Sequence, residues 1–133
     1  MRQLDADNER RRQLARLYAE RFESSAVRTL VPRPDCEPVH HVFPIRVAQR
    51  DELRAYLDER GIGTGIHYAV PAHLQPALRS HAHRVLDMSC TAAACRELLS
   101  LPMYPELEDE QLEYVADQVL AFTERSGLGA RSA

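Results

Sequence analysis

The sequence predicts a small α/β domain of α+β-like character, a few-stranded sheet covered by helices. Three observations predict it. Helical and extended stretches alternate in the order α, β, α, β, α, β-like, α, with no internal repeat. The 133 residues suit one core and leave no room for a second domain of ordinary size. The last helical stretch carries an apolar stripe that has to dock on another layer.

Along the chain, Leu14, Leu17, Tyr18 and Phe22 recur at three- and four-residue spacing among arginines and glutamates. That period predicts an amphipathic helix over 7–25, with Asp5 or Asp7 as its N-cap. Pro32, Pro34 and Pro38 lack donor N–H groups and extend their predecessors, so residues 31–38 read as a linker. Val42, Phe43, Ile45 and Val47 predict a strand over 40–47, in which Pro44 suits an edge or a bulge. Leu53 and Leu57 at i,i+4, beside Tyr56, predict a helix over 51–60 closed by Gly61 in a left-handed conformation. A short strand over 64–68, weakened by Gly63 and Gly65, then leads into a proline-punctuated loop over 69–78. A small-residue helix over 89–98 runs into an extended stretch held open by Pro102 and Pro105. Over 109–124, Leu112, Val115, Ala116, Val119 and Leu120 share one helical face. Burying Leu112, Val115, Val119 and Leu120 contributes about 6–12 kcal/mol before chain entropy is subtracted. The domain is therefore expected to span 1–124, with 125–133 as a flexible tail.

Composition narrows the function. Hydrophobic residues make up 44% and charged residues 28%, with 5 Gly and 8 Pro, which excludes collagen-like and wholly disordered chains. A net charge of −3 gives no field that would gather nucleic acid or anionic lipid, so neither is an expected partner. All 17 basic residues are Arg, and the chain contains no Lys. The three cysteines Cys36, Cys90 and Cys95 form no Cys-x-x-Cys pair, and no apolar run near Met1 suits a signal peptide or a membrane span. A reduced, soluble, cytoplasmic protein is the expectation.

Few side chains are arranged for chemistry. His81 and His83, two apart, with His67 and His73 nearby, suggest a metal site, but no Cys or carboxylate stands at ligand spacing and structural histidines are the better reading. Cys90 and Cys95 lie about 140° apart around an ideal helix and read as small core residues. No cysteine sits beside a histidine base, and Gly61, Gly63 and Gly65 lack the context of a phosphate loop. The densest polar group is Thr64, His67, Tyr68, His73 and Gln75 within a turn-rich loop. Spacing leaves open whether these side chains bind a ligand or satisfy one another.

The run from Gly61 to Pro76, Gly-Ile-Gly-Thr-Gly-Ile-His-Tyr-Ala-Val-Pro-Ala-His-Leu-Gln-Pro, is followed by Leu-Ser-Leu-Pro-Met-Tyr-Pro-Glu-Leu from Leu99 to Leu107. Together they closely resemble the C-terminal part of the DegT/DnrJ/StrS family of pyridoxal-phosphate sugar aminotransferases. Asn8, Glu9, Arg10 and Arg11, with Ala15 and Tyr18, resemble the helix by which that family enters its small domain, and Arg50, Asp51 and Leu53 resemble the opening of the next one. The resemblance covers about residues 4 to 123. Departures stand at Ala69, where the family usually has Pro, at Ala92, usually Glu, and at Ser89, a common Pro.

The resemblance implies the C-terminal small domain of a fold-type-I enzyme roughly three times this length, usually a homodimer. In such an enzyme a large domain holds the cofactor and the small domain closes over a nucleotide-linked keto-deoxysugar. It implies that His67, Tyr68, Pro71 and His73 bind substrate, and that pyridoxal phosphate attaches to a Lys of the large domain. A chain without Lys offers no ε-amine for that attachment, and a guanidinium cannot replace one. By itself the chain is expected to hold no cofactor, to carry no catalytic residue and to have no turnover. The competing expectation is a non-catalytic remnant or interaction module that associates with a full-length homologue.

Overall fold

The computed structural model describes residues 3–78 and 86–127. Its elements in chain order are α1 (Leu4–Phe22), β1 (Arg28–Thr29), β2 (Phe43–Arg46), α2 (Arg50–Asp58), two 3-10 turns (Ala72–Leu74 and Pro76–Leu78), α3 (Ser89–Glu97), β3 (Leu98–Leu101) and α4 (Asp109–Arg125). The strands form one antiparallel sheet in the order β1-β2-β3, with helices packed on it: an α/β domain with a few-stranded sheet. Among the described residues no helix is long and apolar enough to cross a membrane.

The apolar stripes read from the sequence meet in one core. Leu14, Tyr18 and Phe22 from α1, Leu53 and Leu57 from α2, and Leu112, Val115, Ala116 and Val119 from α4 enclose Phe43 and Ile45 of β2 and Leu99 and Leu101 of β3. The Tyr18 ring stacks on Phe43 at 4.8 Å between centroids, and its hydroxyl donates to the Pro102 carbonyl at 3.2 Å. Burial pushes the Tyr18 phenol well above the ordinary tyrosine value. Arg10 donates to the Leu107 carbonyl at 2.6 Å and Arg11 to the Met103 carbonyl at 2.9 Å. The α1 arginines therefore fasten the segment that follows β3.

Helix ends show how local chemistry sets the boundaries. α4 opens with a reciprocal capping box between Glu108 and Gln111. α2 closes with Gly61 at φ +72° and a bond from the Ile62 N–H to the Leu57 carbonyl, the wide turn that a left-handed residue permits. α1 differs from expectation: Gln3 is the N-cap, and Asp5 and Asp7 sit inside the first turn, where their charges favour the helix dipole without capping it. α4 runs through Arg125, one residue into the expected tail, of which residues 128–133 lie outside the described ones.

The extended segments depart further. The strand expected over 40–47 contracts to Phe43–Arg46, because His40 adopts φ +48° and turns the chain before it reaches the sheet. The strand expected over 64–68 is a single bridge between Gly65 and Ser100, since two glycines supply no side chains to hold a longer ladder. β1 is a strand where none was expected, whereas β3 is the start of the extended, β-like stretch expected after the helix over 89–98. Cys90 is exposed and Cys95 only half-buried, not core, because the short side chains of α3 do not reach the interior. The buried Arg50 instead ties down this helix end, donating to the Cys95 and Leu98 carbonyls at 3.3 and 3.1 Å.

Pro44 stands in the central strand, opposite Ser100. The Ser100 backbone exchanges both of its bonds with Gly65 (2.7 and 3.0 Å), so the pair it makes with Pro44 carries no hydrogen bonds. The Pro44 nitrogen therefore faces the β1 side. Continuing the register Arg28↔Arg46 and Thr29↔Ile45, the residue opposite is Leu30, one past the end of β1. The missing N–H falls where the edge strand has already stopped.

Candidate functional site

The polar loop begins at the Gly65–Ser100 bridge, which anchors it to the outer side of β3. A Cβ built on Gly65 would lie 2.5 Å from His67 Cε1, so only glycine lets the imidazole fold back over the strand edge. There His67 Nδ1 lies 3.0 Å from the Ser100 hydroxyl, which is buried while the His67 side chain faces solvent. The Tyr68 ring meets His67 edge-on at 5.9 Å and is 74% exposed. The peptide between them is cis.

Beyond Tyr68 the chain winds through the two 3-10 turns. The Leu74 N–H donates to the Pro71 carbonyl at 2.9 Å, and the Gln75 side chain donates to the Val70 carbonyl at 3.1 Å. Pro71 is buried and secures the first turn. His73 is half-buried, and its Nδ1 is buried with no hydrogen-bond partner among the described residues. The structure thus brings His67 and Tyr68 into contact and places Pro71 and His73 in the turn that follows. Gln75 serves the loop itself. Among the described residues the four expected substrate-binding side chains share no hydrogen bond with one another.

These residues do not line the 640 Å³ groove on the molecule. That groove lies between the close of α2 and the start of α4, with Gly61, Ile62, Tyr104, Leu107, Tyr114 and Val115 on its walls. His67 and Tyr68 instead are exposed, and Val70, Leu74 and Leu78, farther along the same loop, expose apolar side chains as well. Two supporting residues escape sequence reasoning. Ser100 is 33 residues from His67, and Gly65 reads as a turn residue when its function is to make room for a ring. The pairing of the two motifs, one holding His67 and the other Ser100, is the only signal that could have found them.

Among the described residues no group of three His, Cys, Asp or Glu is arranged to hold a metal ion. His81 and His83 lie outside the described residues. The donor set does not suit covalent attachment of an aldehyde cofactor, because a chain without Lys has no ε-amine.

Comparison with known proteins assigns the fold and its loop to a family. The chain is 41% identical over 123 residues to the dTDP-3-amino-3,4,6-trideoxy-alpha-D-glucose transaminase of Streptomyces venezuelae, covering 92% of this chain and 32% of that protein. It is 38% identical over 122 residues to a pleiotropic regulatory protein of Geobacillus stearothermophilus, covering 90% and 33%. The crystal structure of S. venezuelae DesV in complex with a ketimine intermediate superposes with a TM-score of 0.85 at 40% identity, over 92% of this chain and 33% of that one. A DegT DnrJ EryC1 StrS aminotransferase from Brucella abortus superposes with a TM-score of 0.79 at 28% identity, over 90% and 32%. The chain therefore spans about a third of the length of the relatives it matches. With residues 1–120 matched by the family model, this chain belongs to the DegT/DnrJ/EryC1/StrS aminotransferase family.

Proposed function

We propose that residues 1–124 form the C-terminal, substrate-closing domain of an aminotransferase acting on nucleotide-linked keto-deoxysugars, in which His67, Tyr68, Pro71 and His73 face the substrate. The observation that carries this reading is the 41% identity, over 92% of this chain, to a transaminase named for a dTDP-linked amino sugar. The exposure of the loop supports it. His67 and Tyr68 offer polar atoms to a hydroxyl-rich ligand, and the exposed apolar side chains of Val70, Leu74 and Leu78 in the same loop suit burial against a second body.

Pyridoxal phosphate, when bound in such an enzyme, supplies the electron sink for amino transfer. This chain contributes no catalytic residue and no covalent cofactor site in our reading. Its residues bind and orient the sugar and exclude water, and a Lys-bearing large domain does the rest, either of the same enzyme or of a full-length homologue, in an assembly that can be a homodimer. The free, exposed thiols of Cys36 and Cys90 suit a cytoplasmic location.

The test mixes this chain with the Lys-bearing remainder of the S. venezuelae transaminase, a dTDP-ketosugar, pyridoxal phosphate and glutamate. Turnover is expected from the mixture, none from the chain alone, and no borohydride-trapped adduct on the chain. Amination by the chain unaided overturns the division of labour. Co-elution with a full-length relative without turnover in the mixture favours an interaction module, a reading that Ala69, Ala92 and Ser89, departing from the family pattern, already support.

A further inference from the structure

We propose that Ser100 is a positioning residue: its hydroxyl donates to His67 Nδ1 and fixes the neutral imidazole as the Nε2–H tautomer. The ring then presents one donor, Nε2–H, to an acceptor oxygen of a ligand. Ser100 is only 6% exposed, and its backbone is bonded through both N–H and C=O to Gly65, so its Oγ sits on a rigid part of the sheet. A buried hydroxyl carries a proton that needs an acceptor. Among the described residues the partner of this one is His67 Nδ1, at 3.0 Å. Were the imidazole to donate from Nδ1 instead, the serine proton would be buried without an acceptor.

The geometry leaves the ring little choice of position. A Cβ at residue 65 would fall 2.5 Å from Cε1 and 3.3 Å from Nδ1, so the ring occupies the space that glycine leaves on the strand edge. The Tyr68 ring stands edge-on to it on another side. Because Nδ1 is occupied from within and the His67 side chain is exposed, the remaining nitrogen is the one available to a ligand. The donor matches a sugar carbonyl or hydroxyl oxygen, or a diphosphate oxygen. That last step rests on the function proposed above, whereas the tautomer does not.

Two measurements separate the claims. Long-range 1H–15N correlation spectra of the full chain at about pH 8.5, above the ordinary imidazole range, are expected to show His67 as a single Nε2–H tautomer. Ser100→Ala is expected to shift it to a mixture of both forms, and Ser100→Thr to restore the single form. Should Ser100→Ala fail to fold, Gly65→Ala displaces the ring while keeping the hydroxyl and is expected to cause the same shift. An Nδ1–H form in the unmodified chain, or a tautomer unchanged in a folded Ser100→Ala variant, overturns the proposal. In the reconstituted mixture Ser100→Ala is expected to raise KM for the dTDP-ketosugar about tenfold with a smaller change in kcat, and inhibition by dTDP alone tells diphosphate from sugar recognition: equal weakening of both points to a diphosphate oxygen, and weakening of the sugar nucleotide only to a sugar oxygen. If the unmodified mixture shows no turnover, the proposed function fails while the tautomer result still decides the role of Ser100.

Discussion

His40 combines two constraints in one side chain. Its backbone is left-handed at φ +48°, and its ring packs against Phe43 at 6.4 Å. Burial, and after it the Arg12 guanidinium, holds the imidazole below its ordinary value of 6.5. The unfolded chain then binds the proton more readily than the folded one, so this contribution to stability is complete above the ordinary value and is lost as pH falls through the lowered one. The urea midpoint is expected to drop between about pH 7.5 and pH 5, with a shallower drop in His40→Asn, which keeps a side chain tolerant of positive φ. An unchanged slope in that variant would assign the effect elsewhere. Carboxylates held low by their partners, Glu9 by Arg12 and Arg16 and Asp35 by Arg33, act in a more acidic window and do not obscure it. The candidate site was legible at this scale only in part. The run of hydrogen-bonding residues from Thr64 to Gln75 marks the loop, but whether His73 Nδ1 has a partner, or which nitrogen of His67 is occupied, depends on residues brought together by pairing between distant segments.

Helices were far more legible than strands, and the reason is length. The apolar period runs from Leu14 to Phe22 in α1 and from Leu112 to Leu120 in α4, more than two helical turns in each, which no other local structure satisfies. β1 and β3 have two and four residues, too few for an alternation to register, and β3 is buried along most of its length, so it shows no alternation at all. α4 is the clearest helix in the pattern and also a central one in the packing, touching both α1 and α2; Tyr56 of α2 donates to Gln118 of α4 at 3.1 Å. Leu112 is fully buried there. Leu112→Ala is expected to cost about 2–5 kcal/mol, read as a lowered denaturant midpoint with an unchanged m-value. A loss below about 1 kcal/mol would mean that α4 can be repacked without it.

At the scale of the whole molecule the sheet ends in a way that matters beyond the fold. β1 is an edge of two residues, and the chain that continues from it exposes Leu30 and Val31, at 55% and 88%, before reaching Pro32. The residue facing Leu30 across the ladder is Pro44, which has no N–H to offer. The proline thus truncates the edge where its side chains turn apolar, and a longer edge of that kind is a template for intermolecular strand pairing. Pro44→Thr, which supplies the donor, is expected to let the edge grow through Leu30 and to make the protein self-associate on warming, seen as concentration-dependent light scattering that the unmodified protein lacks at equal loading. A variant as monodisperse as the parent would show that the proline guards nothing. By this account a residue that looks like a defect in a central strand is a safeguard for solubility, limiting aggregation at a small loss of sheet.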